Sequence, residues 1–142
     1  MRCEEVMTRE VESLKSTDTV AEAARRMSEL DVGFLPICRS DGAPVGTLTD
    51  RDIVLRVVAQ HRSYTTQVDD VMTPDVISCR PDDDVTRAEQ LMRLNQVSRI
   101  LCMDDDGQIA GVISLADISQ YEVDTEAGKL LAEVKGSEAH IH

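Results

Sequence analysis

The sequence predicts an α/β (α+β) fold made of two pseudo-symmetric strand–helix–strand–strand–helix units packed sheet to sheet. Three observations lead there. The chain repeats itself with a period of 65 residues, so that Val6 to Val54 falls on Val71 to Ser119 without a gap. Fifteen of those 49 positions are identical, among them Val6/Val71, Met7/Met72, Thr8/Thr73, Gly46/Gly111 and Asp52/Asp117; chance at about 6% per position gives roughly three. Within each copy, apolar residues at helical spacing alternate with short apolar runs and an Asp-Gly turn. Finally, 142 residues with 42% hydrophobic content suffice for one compact body but not for two independent domains.

The elements follow in order. An extended segment, Val11 to Leu14 or Val76 to Cys79, opens each copy. Ser16-Thr17-Asp18 and Pro81-Asp82-Asp83-Asp84 then mark helix starts. The first helix presents Val20, Ala23, Ala24, Met27 and Leu30, and its counterpart Val85, Ala88, Leu91, Met92 and Leu94. An apolar strand follows, Phe34 to Cys38 or Ile100 to Met103. Asp41-Gly42 or Asp106-Gly107 turns the chain into a return strand, Val45 to Leu48 or Ile109 to Ile113. A second helix begins near Asp50 and near Leu115. The resulting division is residues 1–65, residues 66–122, and a short amphipathic C-terminal helix (Thr125 to Val134) with a tail over 123–142.

Composition narrows the function. The formal net charge of −12, scattered basic residues and 2% aromatic content exclude nucleic acid as a main partner. No apolar run reaches the roughly 20 residues of a membrane span, and the charged start MRCEEVMTRE is no secretory signal, so a cytoplasmic location is expected. Cys3, Cys38, Cys79 and Cys102 form no CxxC pair and match no zinc spacing; they read as free thiols, the last three buried in strands.

One motif carries chemistry: Gly46-Thr47-Leu48-Thr49-Asp50-Arg51-Asp52, with its copy Gly111-Val112-Ile113-Ser114-Leu115-Ala116-Asp117. A hydroxyl and a carboxylate three residues apart at a strand-to-helix junction share one side of the first helical turn. The carboxylate can accept both hydroxyls of a ribose, while the hydroxyl and the helix-start N–H groups face phosphate. The glycine is expected to end the strand and to permit close approach. The plainer alternative is that Thr49 and Ser114 are helix caps and that Asp52 and Asp117 answer the helix dipole.

The repeated V-M-T, the hairpin and G-x-x-[TS]-x-x-D together resemble CBS domains, here as the tandem pair called a Bateman module. LPIC and GTLTDRDIV resemble small bacterial stand-alone two-repeat proteins linked to stress or energy state. The resemblance implies two sites, each joining the ribose motif of one repeat to strands of the other. Site A would combine Thr49, Arg51 and Asp52 with Val76, Ile77, Ser98, Arg99 and Ile100. Site B would combine Ser114 and Asp117 with Val11, Glu12, Gly33, Phe34 and Leu35. Adenine would lie between aliphatic side chains. Arg99, at a position that meets phosphate in the family, and Arg51 make site A the better phosphate site. Phe34, Ala116 and the nearby Glu12 leave site B either empty or suited to a less charged ligand.

The expected function is a regulatory, non-enzymatic module that binds an adenosine-containing ligand (AMP, ADP or ATP, with dinucleotides and S-adenosylmethionine sharing the same adenosine). It would require no cofactor and no metal, and would signal to a protein partner by a conformational shift. The alternative is a constitutive interaction scaffold with vestigial sites. The resemblance also implies a homodimer, with which the second-helix residues Ile53, Val54, Val57, Val58 and Ile118 are consistent, although packing between the repeats explains them equally. Asp104-Asp105-Asp106 reads as a solvated turn, and His61, His140 and His142 lack any metal-ligand context.

Overall fold

The computed structural model of the chain describes residues 1–134. It contains two three-stranded sheets, one per repeat. In the first, β1 (Leu14–Lys15) lies parallel to β2 (Phe34–Cys38), which runs antiparallel to β3 (Pro44–Thr49). In the second, β4 (Ser78–Cys79), β5 (Arg99–Met103) and β6 (Ile109–Ser114) repeat that arrangement. Helices α1 (Val20–Leu30) and α3 (Val85–Asn95) connect the first two strands of each sheet. After β3 comes α2 (Asp50–Ile53), which continues as a π-helical turn over Val54–Val58; after β6 comes α4 (Leu115–Val134).

The opening strands are shorter than expected. Only Leu14–Lys15 and Ser78–Cys79 join the ladders, because the residues before them leave the sheet. Val11, Glu12 and Ile77 line cavities instead, although Ile77 O still accepts from Leu101 N at 3.2 Å.

The helices start where short polar side chains take orphan N–H groups. Thr19, one residue beyond the expected Ser16-Thr17-Asp18, caps α1, its Oγ1 accepting from Glu22 N at 3.2 Å, while Asp18 Oδ2 accepts from Lys15 N in the preceding turn. Asp84 caps α3 as expected, its Oδ1 accepting from Thr86 N at 3.0 Å. Both helices end on a non-glycine residue in the left-handed region, Asp31 and Gln96, each at φ 54°. The buried stripe is Val20, Ala23 and Met27 in α1 and Val85, Ala88 and Met92 in α3. Ala24, Leu30 and Leu94 face solvent instead, since a stripe this narrow covers only one sheet face. Helix α4 is one continuous helix rather than a second-repeat helix followed by a short separate one. No proline interrupts it, and Thr125 Oγ1 donates to Tyr121 O at 2.8 Å across one turn. The remainder of the expected tail, residues 135–142, lies outside the described residues.

Two cores form. One gathers Leu14, Val20, Ala23, Met27, Leu35, Ile37 and Leu48; the other gathers Cys79, Val85, Ala88, Met92, Ile100, Cys102 and Ile113. Each is completed by the opening segment of the other repeat. Cys3 and Met7 belong to the second core, Val68 and Val71 to the first. The backbone exchange follows the 65-residue period: Cys3 N donates to Asp83 O and Val68 N to Asp18 O, both at 2.8 Å, and Val85 N donates to Met1 O at 2.9 Å as Val20 N does to Thr66 O at 2.8 Å. The repeats are therefore interlocked, and neither buries its core alone.

Gly46 and Gly111 owe their identity to this crossing. They lie within β3 and β6 rather than at their ends. A Cβ on Gly46 would stand 2.5 Å from Met72 Sδ and 2.8 Å from Thr73 O; one on Gly111 would stand 2.7 Å from Thr8 O. The close approach is made by the protein's own backbone, not by a ligand.

All four cysteines are buried and unpaired. Cys38, Cys79 and Cys102 sit on strands as expected, while Cys3 lies in a 3-10 turn (Cys3–Glu5) against the second core. Cys79 Sγ stands 3.4 Å from Cys102 Sγ and 3.8 Å from Cys3 Sγ. Burial pushes the Cys3 thiol up to about 12, and the Cys102 thiol together with burial raises that of Cys79 still further.

Candidate ligand-binding clefts

Two clefts lie at the places where an opening segment of one repeat crosses the ribose motif of the other. Cleft A, of about 490 Å³, is lined by seven of the eight residues expected there: Thr49, Arg51, Asp52, Ile77, Ser98, Arg99 and Ile100. Val76 is not on its wall; Asp75 takes that place. Cleft B, of about 430 Å³, is lined by all seven expected residues: Val11, Glu12, Gly33, Phe34, Leu35, Ser114 and Asp117.

Strand-to-helix geometry positions each hydroxyl–carboxylate pair. Thr49 ends β3 and caps α2, its Oγ1 accepting from Asp52 N at 3.0 Å, while Asp52 Oδ2 accepts from Thr49 N at 2.9 Å. This is a reciprocal capping box. Arg56, one turn on, places Nη2 3.5 Å from Asp52 Oδ1 and donates through Nη1 to Val71 O at 2.9 Å. Both oxygens of Asp52 are thus engaged, and its side chain is only 17% exposed. In cleft B, Ser114 Oγ likewise accepts from Asp117 N at 3.0 Å. There the reciprocity stops: among the described residues the Asp117 carboxylate has no hydrogen-bond or ion-pair partner. Ala116 and Leu115 stand where cleft A has Arg51 and Asp50.

The electrostatics differ as well. Cleft A sets Asp50, Asp52 and Asp75 against Arg51, Arg56 and Arg99. Cleft B sets Glu10, Glu12, Asp31 and Asp117 against Arg99 alone. Glu12 is partly neutralised from outside the cleft, where Arg26 Nη2 stands 3.1 Å from its Oε2. Arg99 borders both clefts, as does Phe34, its equivalent in the first repeat. The reason is register: Arg99 starts β5 opposite Ser114, and Phe34 starts β2 opposite Thr49.

Several residues that the sequence did not single out as site residues fall on repeat-equivalent positions. Thr8 and Glu10 line cleft B as Thr73 and Asp75 line cleft A. The left-handed cap residues Asp31 and Gln96 do the same. Extending the period of 65 beyond the motif would have found them; Arg56 was legible as the residue four after Asp52. The acidic triplet is structural: Asp104 Oδ1 accepts from Asp106 N at 2.9 Å and Gln108 N at 3.0 Å, closing the hairpin turn.

Two interlocked α/β repeats, with a cleft at each crossing, define a paired-repeat module. The chain belongs to the CBS domain family, whose model matches residues 3–59 and 68–124. It is 33% identical over 137 residues to the CBS domain-containing protein YhcV of Bacillus subtilis, covering 96% of each chain. A CBS domain protein of Pyrobaculum aerophilum, solved in complex with AMP, shares the fold at a TM-score of 0.77 and 27% identity, over 82% of this chain and 89% of that one. A CBS domain pair solved with 5′-methylthioadenosine and S-adenosyl-L-methionine superposes with a TM-score of 0.80 at 23% identity, over 88% and 98% of the two chains, a likeness of fold alone. Among the described residues, no helix is long and apolar enough to cross a membrane.

Proposed function

We propose that this chain is a regulatory module that binds an adenosine-containing ligand, AMP, ADP or ATP first among them, and passes the state of its clefts to a protein partner. One observation carries the reading. In each cleft a helix-start hydroxyl and carboxylate from one repeat face the opening segment of the other, between aliphatic walls such as Ile77 and Ile100 or Val11 and Leu35. A ribose diol and a flat base suit that combination of acceptors and apolar walls. The AMP complex of the Pyrobaculum relative supports the ligand class.

A ligand seated at a crossing touches both repeats, so its differential affinity for two arrangements of the interlocked pair would supply the signal. No step of catalysis is assigned to any residue. The protein would act in the cytoplasm as an energy or stress sensor. A homodimer would form through the second-helix surface. Of the residues expected on that surface, Ile53, Val57 and Ile118 pack inward, while Val54 and Val58, joined by Leu55, remain exposed.

A second reading has its own observation. The engagement of both Asp52 oxygens by Thr49 and Arg56 is what a purely structural cap would show, and it favours a scaffold whose cleft A is vestigial. Equilibrium dialysis with AMP, ADP, ATP and S-adenosylmethionine separates the two. Retention of one or two equivalents of any of them supports the sensor; retention of none at millimolar concentration leaves the scaffold.

A further inference from the structure

The two clefts do not have independent cations. Arg99 is the only basic side chain among the described residues that lines cleft B, and it also lines cleft A. It is exposed, at the first position of β5, and forms no ion pair among the described residues. Its register partner is Ser114 of cleft B, while its neighbours Ser98 and Ile100 belong to the wall of cleft A. A long, unpaired guanidinium at the boundary of two cavities can turn to either, but not to both at once.

We infer that Arg99 is a shared specificity element, the group that meets the phosphate of a ligand in either cleft, so that a phosphorylated ligand in one disfavours a second in the other. The inference rests on the nucleotide reading above. With Arg99 drawn toward cleft A, cleft B is left with Glu10, Glu12, Asp31 and Asp117 and no cation. A phosphate there meets only like charge, whereas an uncharged nucleoside, or one with a cationic substituent, does not. Because coupling between two binding sites is reciprocal, a phosphate held by Arg99 in cleft B weakens phosphate binding in cleft A to the same extent. Arg51 makes cleft A less dependent, since it retains a cation of its own.

Isothermal titration with AMP and with adenosine tests this on the full chain and on Arg99→Gln, an exposed site where the fold is not at risk. In the wild-type chain, the ratio of first to second affinity is at least about five-fold larger for AMP than for adenosine, which carries no phosphate. Arg99→Gln weakens the first AMP step by roughly ten-fold, where a charge-assisted contact is lost, and leaves the second AMP step and both adenosine steps near their wild-type values. In Asp52→Ala and Asp117→Ala backgrounds, each with one cleft disabled, it weakens AMP in whichever cleft remains. If Arg99→Gln weakens AMP in only one of those two backgrounds, or if adenosine weakens equally, Arg99 is not a shared phosphate contact, though the nucleotide reading stands. If the wild-type chain takes up neither AMP nor adenosine, the nucleotide reading fails and the sharing of Arg99 fails with it.

Discussion

Thr47 and Thr73 exchange a pair of backbone hydrogen bonds, 2.9 Å in each direction, across the boundary between the two repeats. Thr8 and Val112 make the equivalent exchange at 2.8 and 2.9 Å. These crossings hold the opening of each repeat over the hairpin of the other, and the clefts lie beside them.

The glycines beneath the crossings should tolerate no side chain. The atoms nearest a Cβ on Gly46 or Gly111 include backbone carbonyl oxygens, which cannot swing aside. Gly46→Ala and Gly111→Ala should each cost about 1–3 kcal/mol in urea unfolding, as overpacking does. A change near zero in either would mean that the crossing segment is free to shift.

Deleting residues 1–8 should do more harm than trimming a terminus, because it removes Cys3 and Met7 from the second core. The expected result is a broadened, lowered urea transition with loss of the signal from α3 and β5. A deletion variant as stable as the parent would contradict the interlocked arrangement.

The two motif aspartates should separate stability from binding. Asp52→Ala loses the bond from Thr49 N and the contact with Arg56, and should cost about 1 kcal/mol before any ligand is added. Asp117→Ala breaks no side-chain contact of that kind and should change stability by less than about 0.5 kcal/mol, while lowering adenosine affinity in cleft B. Unfolding curves without ligand, then adenosine titrations, check both halves.

The thiols should make the fold alkali-sensitive. Cys3 is raised from an ordinary value of 9.0 to about 12 by burial, and Cys79 and Cys38 are raised as well. A thiol whose folded pKa lies above its unfolded one contributes stability that is complete below about pH 9 and is lost as pH rises toward 12. Urea midpoints should therefore fall through that window, and an aromatic disulfide reagent at pH 8 should label the native protein slowly and the unfolded protein at all four cysteines. Rapid native labelling would show that the cores open readily.

The exposed strip of the second helix should mediate self-association. Val54 and Val58 are 55% and 64% exposed beside Leu55, and three adjacent aliphatics on one helix surface are a favourable seat for a second copy. Val58→Glu should convert a dimer to a monomer in sedimentation without altering stability; a wild-type chain that is already monomeric would remove this role from the strip.

Much of this was legible in the sequence because the repeat doubles every signal. The Asp-Gly turns, the caps before Val20 and Val85 and the hairpin strands each appear twice, at one spacing. The hydroxyl–carboxylate pair was legible for the same reason, since a pair recurring 65 residues on is more than a lone cap; the residues of the opposite repeat came from the family resemblance. What sequence could not carry was the crossing. Nothing local says that Cys3 fills the core beside Cys79, or that Gly46 is small because Thr73 passes over it. Those are contacts between segments far apart in the chain, set by packing rather than by propensity. The division of cations between clefts was hidden for a related reason: Arg99 belongs to one site by motif but to two by strand register.

The most direct measurement is a thermal-shift panel of AMP, ADP, ATP, NAD, S-adenosylmethionine and adenosine on the wild-type chain, Asp52→Ala and Asp117→Ala. A ligand at a hundred times its Kd stabilises by about 2.7 kcal/mol, a rise of several degrees for a chain of this size. A rise for at least one adenosine ligand, reduced by one or both substitutions, is the predicted result. No rise for any of them, on a chain that unfolds cooperatively, would contradict ligand binding at the crossings.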